Sequence, residues 1–186
     1  MYPANREKII EPPLIKDVKM GGYAILTPED AQRYIRTRGV STCTALTLHF
    51  PKAGIVVLSH IPASSGLHTS SQRIRRDLEG RTDESPFYFV EEGPYNAYNG
   101  TRVFLDEIYY GKKDPPILQQ YFPGAKPSNR VSHEGILKGD DCIDVMIDKM
   151  AGMTRVYNGS HRGANLPREI DFETPEHLIA EISKSP

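Results

Sequence analysis

Thr37-Arg38-Gly39-Val40-Ser41-Thr42-Cys43 runs into Thr44-Ala45-Leu46-Thr47-Leu48-His49-Phe50, then Pro51-Lys52-Ala53-Gly54, then Ile55-Val56-Val57-Leu58-Ser59-His60-Ile61. Between residues 42 and 50, Thr42, Thr44, Leu46, Leu48 and Phe50 alternate with Cys43, Ala45, Thr47 and His49, which is the period of a strand. The second set is small or polar, so the reading is a strand with one buried face and one small-lined face. Residues 51–54 are a connection of hairpin length, and residues 55–61 are a near-continuous apolar strand. In an antiparallel hairpin turning at residues 51–54, Cys43 and His60 fall near opposite positions, with Cβ atoms about 4.5–5.5 Å apart.

Working outward, the 186-residue chain is long enough for one domain that buries about 70% of its unfolded surface. Residues 1–19 read as an extended lead-in with Pro3, Pro12 and Pro13 among charges. Hydrophobic content of 38%, charged content of 25% and a net charge of −1 describe a globular chain with no global attraction for nucleic acid or anionic membrane. No apolar run approaches the roughly 20 residues of a membrane span. The polar start Met-Tyr-Pro-Ala-Asn-Arg-Glu-Lys does not read as a signal peptide, so a cytoplasmic protein is expected. Two cysteines, Cys43 and Cys142, are too few for a disulfide framework, and no Cys-x-x-Cys or His-x-x-x-His pattern suggests a metal. No cofactor is expected.

Along the chain, residues 21–26 predict a short strand. Thr27-Pro28-Glu29-Asp30 predicts a helix start, with Ala31, Tyr34 and Ile35 as its apolar stripe and Gly39 as its stop. Residues 70–80 predict a helix with Ile74 and Leu78 inward and a basic face of Arg73, Arg75 and Arg76, which is either solvated or docks an acidic protein. Strands are predicted over residues 87–91, 101–110 and 153–157, and a surface loop over residues 111–130. A second helix is expected over residues 140–150 with Ile143, Met146, Ile147 and Met150 at helical spacing and Cys142 on its apolar side. A third starts at Thr174-Pro175-Glu176. Helices and strands are interspersed without a steady rhythm, which favours α+β over a doubly wound sheet.

Cys43 and His60 admit two readings. A thiol with its ordinary pKa of about 8.5 is mostly protonated at neutral pH, so a nucleophilic cysteine needs a base such as an imidazole. It also needs backbone N–H groups aimed at a developing oxyanion, which a turn before a strand can supply. Otherwise Cys43 is a small buried hydrophobe and His60 a satisfied core histidine. His49 lies too far along the strand to pair with Cys43, and His133 and His161 sit in polar, turn-like contexts that read as surface.

From Gly22 to Pro62 the chain resembles the chemotaxis-receptor glutamine deamidases, the CheD family. Gly21-Gly22-Tyr23-Ala24-Ile25 is similar to that family's opening Gly-x-Tyr-Ala strand. Thr37, Gly39 and Cys43 match its Thr-x-Gly-x-Gly-Ser-Cys motif in register, with Ser41 and Thr42 where the family has its second glycine and its serine. His60 follows Cys43 by seventeen residues, and Pro62 follows it, as in the family. The resemblance implies a fold with a central pair of mixed β-sheets flanked by helices. It extends to bacterial deamidase toxins of the cytotoxic-necrotizing-factor type and to N-terminal asparagine amidohydrolases. It implies Cys43 as nucleophile, His60 as base and then acid, and Thr37 as the oxygen that orients the imidazole. Read without the resemblance, Thr37 is equally a hydroxyl satisfying backbone at a helix end.

The expectation is therefore a cysteine-dependent protein glutamine deamidase of a single α+β domain, whose partner is a protein presenting a glutamine side chain. Tyr- and Pro-rich stretches between residues 92 and 130 point to a toxin or effector-type member, cytoplasmic or delivered into a host cell. The alternatives are a protein-binding module with a structural Cys43, and a thiol protease or amidase.

Overall fold

Period-two alternation governs the described part of this chain far more than helical periodicity does. The structure is a computed structural model that describes residues 14–62, 66–93, 117–134 and 142–158. Within them lie the strands β1 (Ile15–Val18), β2 (Tyr23–Leu26), β3 (Tyr34–Val40), β4 (Thr44–Phe50) and β5 (Ile55–Ile61). Helix α1 (Leu67–Asp77) and strand β6 (Phe87–Glu92) follow. After them come helix α2 (Ile117–Tyr121), β7 (Lys126–Pro127), β8 (Val131–Glu134), β9 (Ile143–Asp148) and β10 (Met153–Asn158).

The strands form two five-stranded sheets, in the orders β1-β3-β9-β10-β8 and β2-β5-β4-β6-β7. Both are mixed: β1 with β3, β8 with β10 and β6 with β7 run parallel, and the remaining pairs are antiparallel. This is the α+β architecture of paired mixed sheets expected from the sequence.

The two sheets face each other. One apolar cluster joins Ile35, Val145 and Ile147 of the first sheet to Ala45, Val56 and Leu58 of the second. On its other face the second sheet carries Leu46, Leu48 and Phe50, which pack with Leu67, Ile74 and Leu78 of the α1 region and with Leu118 of α2. Phe122, just past α2, meets Phe50 edge-on at 6.4 Å between ring centres. β5 is thus covered on both faces and flanked by β2 and β4, and all seven of its residues are buried. Each large aliphatic side chain there contributes about 1.5–3 kcal/mol by leaving water. Both faces of β4 are buried as well. Its small-lined side is the one on which the first sheet packs, where short side chains let two sheets approach to about 10 Å.

The predicted strands at residues 21–26, 55–61, 87–91 and 153–157 are present, and the helix predicted over residues 70–80 is α1, beginning at Leu67. Three expectations are corrected. Residues 27–30 form a turn in which the Asp30 carboxylate accepts from the Thr27 amide and hydroxyl at 2.7 and 3.1 Å, and the chain continues as β3, not as a helix. Residues 143–148 are β9, so Cys142 is a buried residue at a strand start. The two errors have one cause, because β3 and β9 are partners. Ile35 and Thr37 in one, and Ile143, Val145 and Ile147 in the other, alternate inward, while a few apolar neighbours also fit helical spacing. Thirdly, part of the stretch expected as a surface loop is α2 and β7, with Leu118, Phe122 and Ala125 in the core. The strand expected at residues 101–110 and the helix starting at Thr174 lie outside the described residues.

Candidate functional site

His60 is the penultimate residue of β5, and the backbone holds it at both ends. Its N–H donates to the Gly22 carbonyl at 3.0 Å, and its carbonyl accepts from the Gly21 amide at 2.8 Å. Gly21 makes the turn into this pairing at a φ of 79°, a conformation glycine adopts without strain. His60 lies directly opposite Ala45 of β4, which belongs to the inter-sheet cluster, so its side chain points toward the first sheet.

Thr37 meets it from that sheet. The Thr37 hydroxyl oxygen is 2.7 Å from His60 Nδ1 and 2.9 Å from the Val18 carbonyl of β1. The carbonyl can only accept, so the single hydroxyl proton satisfies it, and the hydroxyl lone pairs accept from Nδ1–H. That arrangement satisfies all three groups and leaves the lone pair on Nε2. His60 Nε2 is buried and makes no hydrogen bond among the described residues. Burial pushes the His60 pKa below the ordinary histidine value, so the ring is neutral at neutral pH. It has the protonation state of a base.

Cys43 ends the turn at residues 41–43 that carries the chain from the first sheet to the second. It is 5% exposed and shares the inter-sheet cluster with Ala45 and Val40. The hairpin register pairs Ala45, not Cys43, with His60. Cys43 is therefore a diagonal neighbour of His60 on the same face, at about 7–8 Å for such pairs, and not an opposed one. Thiol and imidazole are not hydrogen-bonded. The Cys43 carbonyl accepts from the Gly93 amide at 2.9 Å, just beyond β6. A Cβ on Gly93 would lie 2.0 Å from the Ser41 carbonyl oxygen, so the turn at residues 41–43 rests directly on this glycine.

The structure thus brings Thr37 and His60 into contact and sets Cys43 beside them. Sequence reasoning missed the Val18 carbonyl, which comes from a segment read as lead-in, and Gly93, whose only signal was the Gly93-Pro94 step after a strand. It also missed Glu91, which lies opposite Ala45 on its far side and so completes a row of Glu91, Ala45 and His60 across three strands. The adjacent Glu92 points to the other face, and burial together with the Glu91 charge pushes its pKa up to about 7. His49 sits at the far end of β4, its ring against Gly152. Among the described residues, no group of three or more His, Cys, Asp or Glu side chains is placed to hold a metal ion. No described helix is long and apolar enough to cross a membrane.

No protein-family model matches this chain, and no curated protein matches it. What the arrangement can do follows from its chemistry: a neutral imidazole with a fixed tautomer and a free lone pair shares a buried inter-sheet space with a thiol.

Proposed function

We propose that this protein is a cysteine-dependent protein-glutamine amidohydrolase of CheD-like type, with Cys43, His60 and Thr37 as its working residues. The observation that carries the reading is the Thr37–His60 hydrogen bond between the two sheets, backed by the Val18 carbonyl, which leaves Nε2 as an unpartnered buried base. A merely structural histidine in such a place is expected to have both ring nitrogens satisfied.

In the proposed reaction His60 Nε2 takes the Cys43 proton as the sulfur attacks the carboxamide carbon of a glutamine side chain, forming the C–S bond and an oxyanion. Backbone amides of the turn at residues 41–43 receive that oxyanion. As the intermediate collapses, the C–N bond breaks and Nε2–H delivers its proton to the leaving ammonia. Water then attacks the thioester, giving its proton to Nε2, and the C–S bond breaks to return the thiol and leave a glutamate. Thr37 keeps the ring in one tautomer and one orientation through both halves, the role of an orienting group in other triads. The diagonal placement of Cys43 agrees with the general finding that catalytic hydrogen bonds are long without substrate and tighten with it. The substrate is a protein that offers an exposed glutamine, and the chain acts as an effector-type enzyme, cytoplasmic or delivered into a host cell.

The test is incubation of candidate proteins with wild type and Cys43→Ser, followed by peptide mass spectrometry. A Cys43-dependent gain of about 1 Da at a glutamine, as NH2 is replaced by OH, supports the reading. Backbone cleavage in its place would make the protein a thiol protease. The absence of a thiol–imidazole hydrogen bond favours, as a second reading, a protein-binding module of the same fold. Equal and slow iodoacetamide reaction of Cys43 and Cys142 near neutral pH would favour it.

A further inference from the structure

We infer that the hydrogen bond from the Gly39 amide to the Asp144 carboxylate is a positioning clamp for the thiol–imidazole pair, with Asp144 as its positioning residue. This rests on the Cys43–His60–Thr37 reading above. β3 pairs with β9 through Thr37 opposite Val145 and then Val40 opposite Ile143, so Arg38 and Gly39 together oppose the single residue Asp144. The extra residue is a β-bulge. Gly39 occupies it at a φ of 66°, and its amide, turned out of the ladder, donates to Asp144 Oδ1 at 2.8 Å. A hydrogen bond to a carboxylate is among the stronger ones, and it replaces the ladder bond that the bulge removes.

The bulge decides which residues face the site. Ile35 lies in the inter-sheet cluster and Thr37, two residues on, contacts His60 from the same face. An unbroken alternation would next turn Gly39 inward and Val40 outward. Val40 is instead fully buried in the cluster, and Arg38 is exposed. The strand is re-phased by one residue after Thr37 and before the turn that ends in Cys43. Thr37 in the first sheet and Cys43 at the end of the turn leading to the second thus lie on opposite sides of one bulge and both face inward. Bulges next to active sites re-aim side chains in this way. Asp144 has no direct part in the chemistry. It sits on the neighbouring strand and holds the distortion in place.

The test compares wild type, Asp144→Ala, Asp144→Asn and Gly39→Ala in the full chain. The readout is the pH profile of Cys43 carbamidomethylation, resolved from Cys142 by peptide mass spectrometry, with urea midpoints measured in parallel. Asp144→Asn keeps an acceptor oxygen and stays within about 2-fold of wild type in Cys43 rate at pH 7. Asp144→Ala lowers that rate about 10-fold and changes the shape of the pH profile, because the re-phased strand no longer aims Thr37 and the turn ending in Cys43 at one another. Gly39→Ala meets no atom within 4 Å and is strained only through its φ, so it remains a usable probe if Asp144→Ala fails to fold, and it changes the profile in the same way. A folded Asp144→Ala or Gly39→Ala protein with a wild-type profile and only a lower urea midpoint overturns the clamp and leaves Asp144 a structural residue. A wild-type profile that is already that of a free thiol, unchanged by His60→Gln, overturns the Cys43–His60 reading itself.

Discussion

Replacing Thr37 by valine removes one oxygen while nearly keeping the shape of the side chain. That oxygen is fully buried, 2.7 Å from His60 Nδ1 and 2.9 Å from the Val18 carbonyl. Without it the imidazole N–H and the carbonyl both lose a partner at a buried position. Each such loss costs about 1–3 kcal/mol, and the carbonyl belongs at the low end because a strand carbonyl has a second lone pair to bond through the ladder. The sum is about 2–4 kcal/mol, which lowers the thermal midpoint of a chain this long by about 4–16 °C. Thr37→Ser keeps the hydroxyl and loses a methyl group, for about 1 kcal/mol. Urea unfolding followed by far-ultraviolet circular dichroism gives the stability, since the chain has no tryptophan to report by fluorescence. Nitrogen chemical shifts of the His60 ring give the tautomer: Nδ1–H in wild type and Thr37→Ser, no longer fixed in Thr37→Val. The proposed deamidation is expected to fall about 10–100-fold in Thr37→Val, the equivalent of about 1.4–2.8 kcal/mol in the barrier. A Thr37→Val protein within about 0.5 kcal/mol of wild type with an unchanged Nδ1–H signal would refute the assignment of Thr37 as the orienting oxygen.

Other changes report on the surroundings. Gly93→Ala drives a methyl group to within 2.0 Å of the Ser41 carbonyl oxygen, so the turn must move. The expected result is about 1–3 kcal/mol lower stability and a Cys43 alkylation rate down by about 10-fold or more, read by urea midpoint and peptide mass spectrometry. For pH, His60 has a folded pKa below its unfolded value near 6.5, so the unfolded chain binds the proton first. Its contribution is complete above about pH 6.5 and is lost as the pH falls through the folded pKa, and His60→Gln flattens that acid-side loss. Glu92 acts in the opposite sense, because its folded pKa of about 7 lies above the ordinary glutamate value of 4.5. The folded chain holds that proton longer, so the contribution of Glu92 is present below pH 4.5 and is lost as the pH rises toward 7. Glu92→Gln therefore gains stability relative to wild type from pH 5 to pH 8, measured as urea midpoints across that range.

What could be read without coordinates is local in origin. The hairpin of β4 and β5 announces itself because its two strands and its turn are contiguous, and α1 does so through its own apolar stripe. Residue types confined to that stretch, a thiol and an imidazole seventeen positions apart, were legible for the same reason. Their register was not, since the hairpin closes between Phe50 and Ile55 and so sets Ala45 rather than Cys43 against His60. β3 and β9 were misread as helices because each carries too few apolar residues to separate a period of two from a period of 3.6. Each takes its strand conformation from the other, more than a hundred positions away. The same distance hid the geometry of the candidate site. Thr37, Val18 and His60 meet only because two sheets stack, and Gly39 finds Asp144 only once β3 and β9 pair. From the sequence alone came the chemistry on offer. Long-range pairing and the closure of one sheet on the other decided which atoms of it touch.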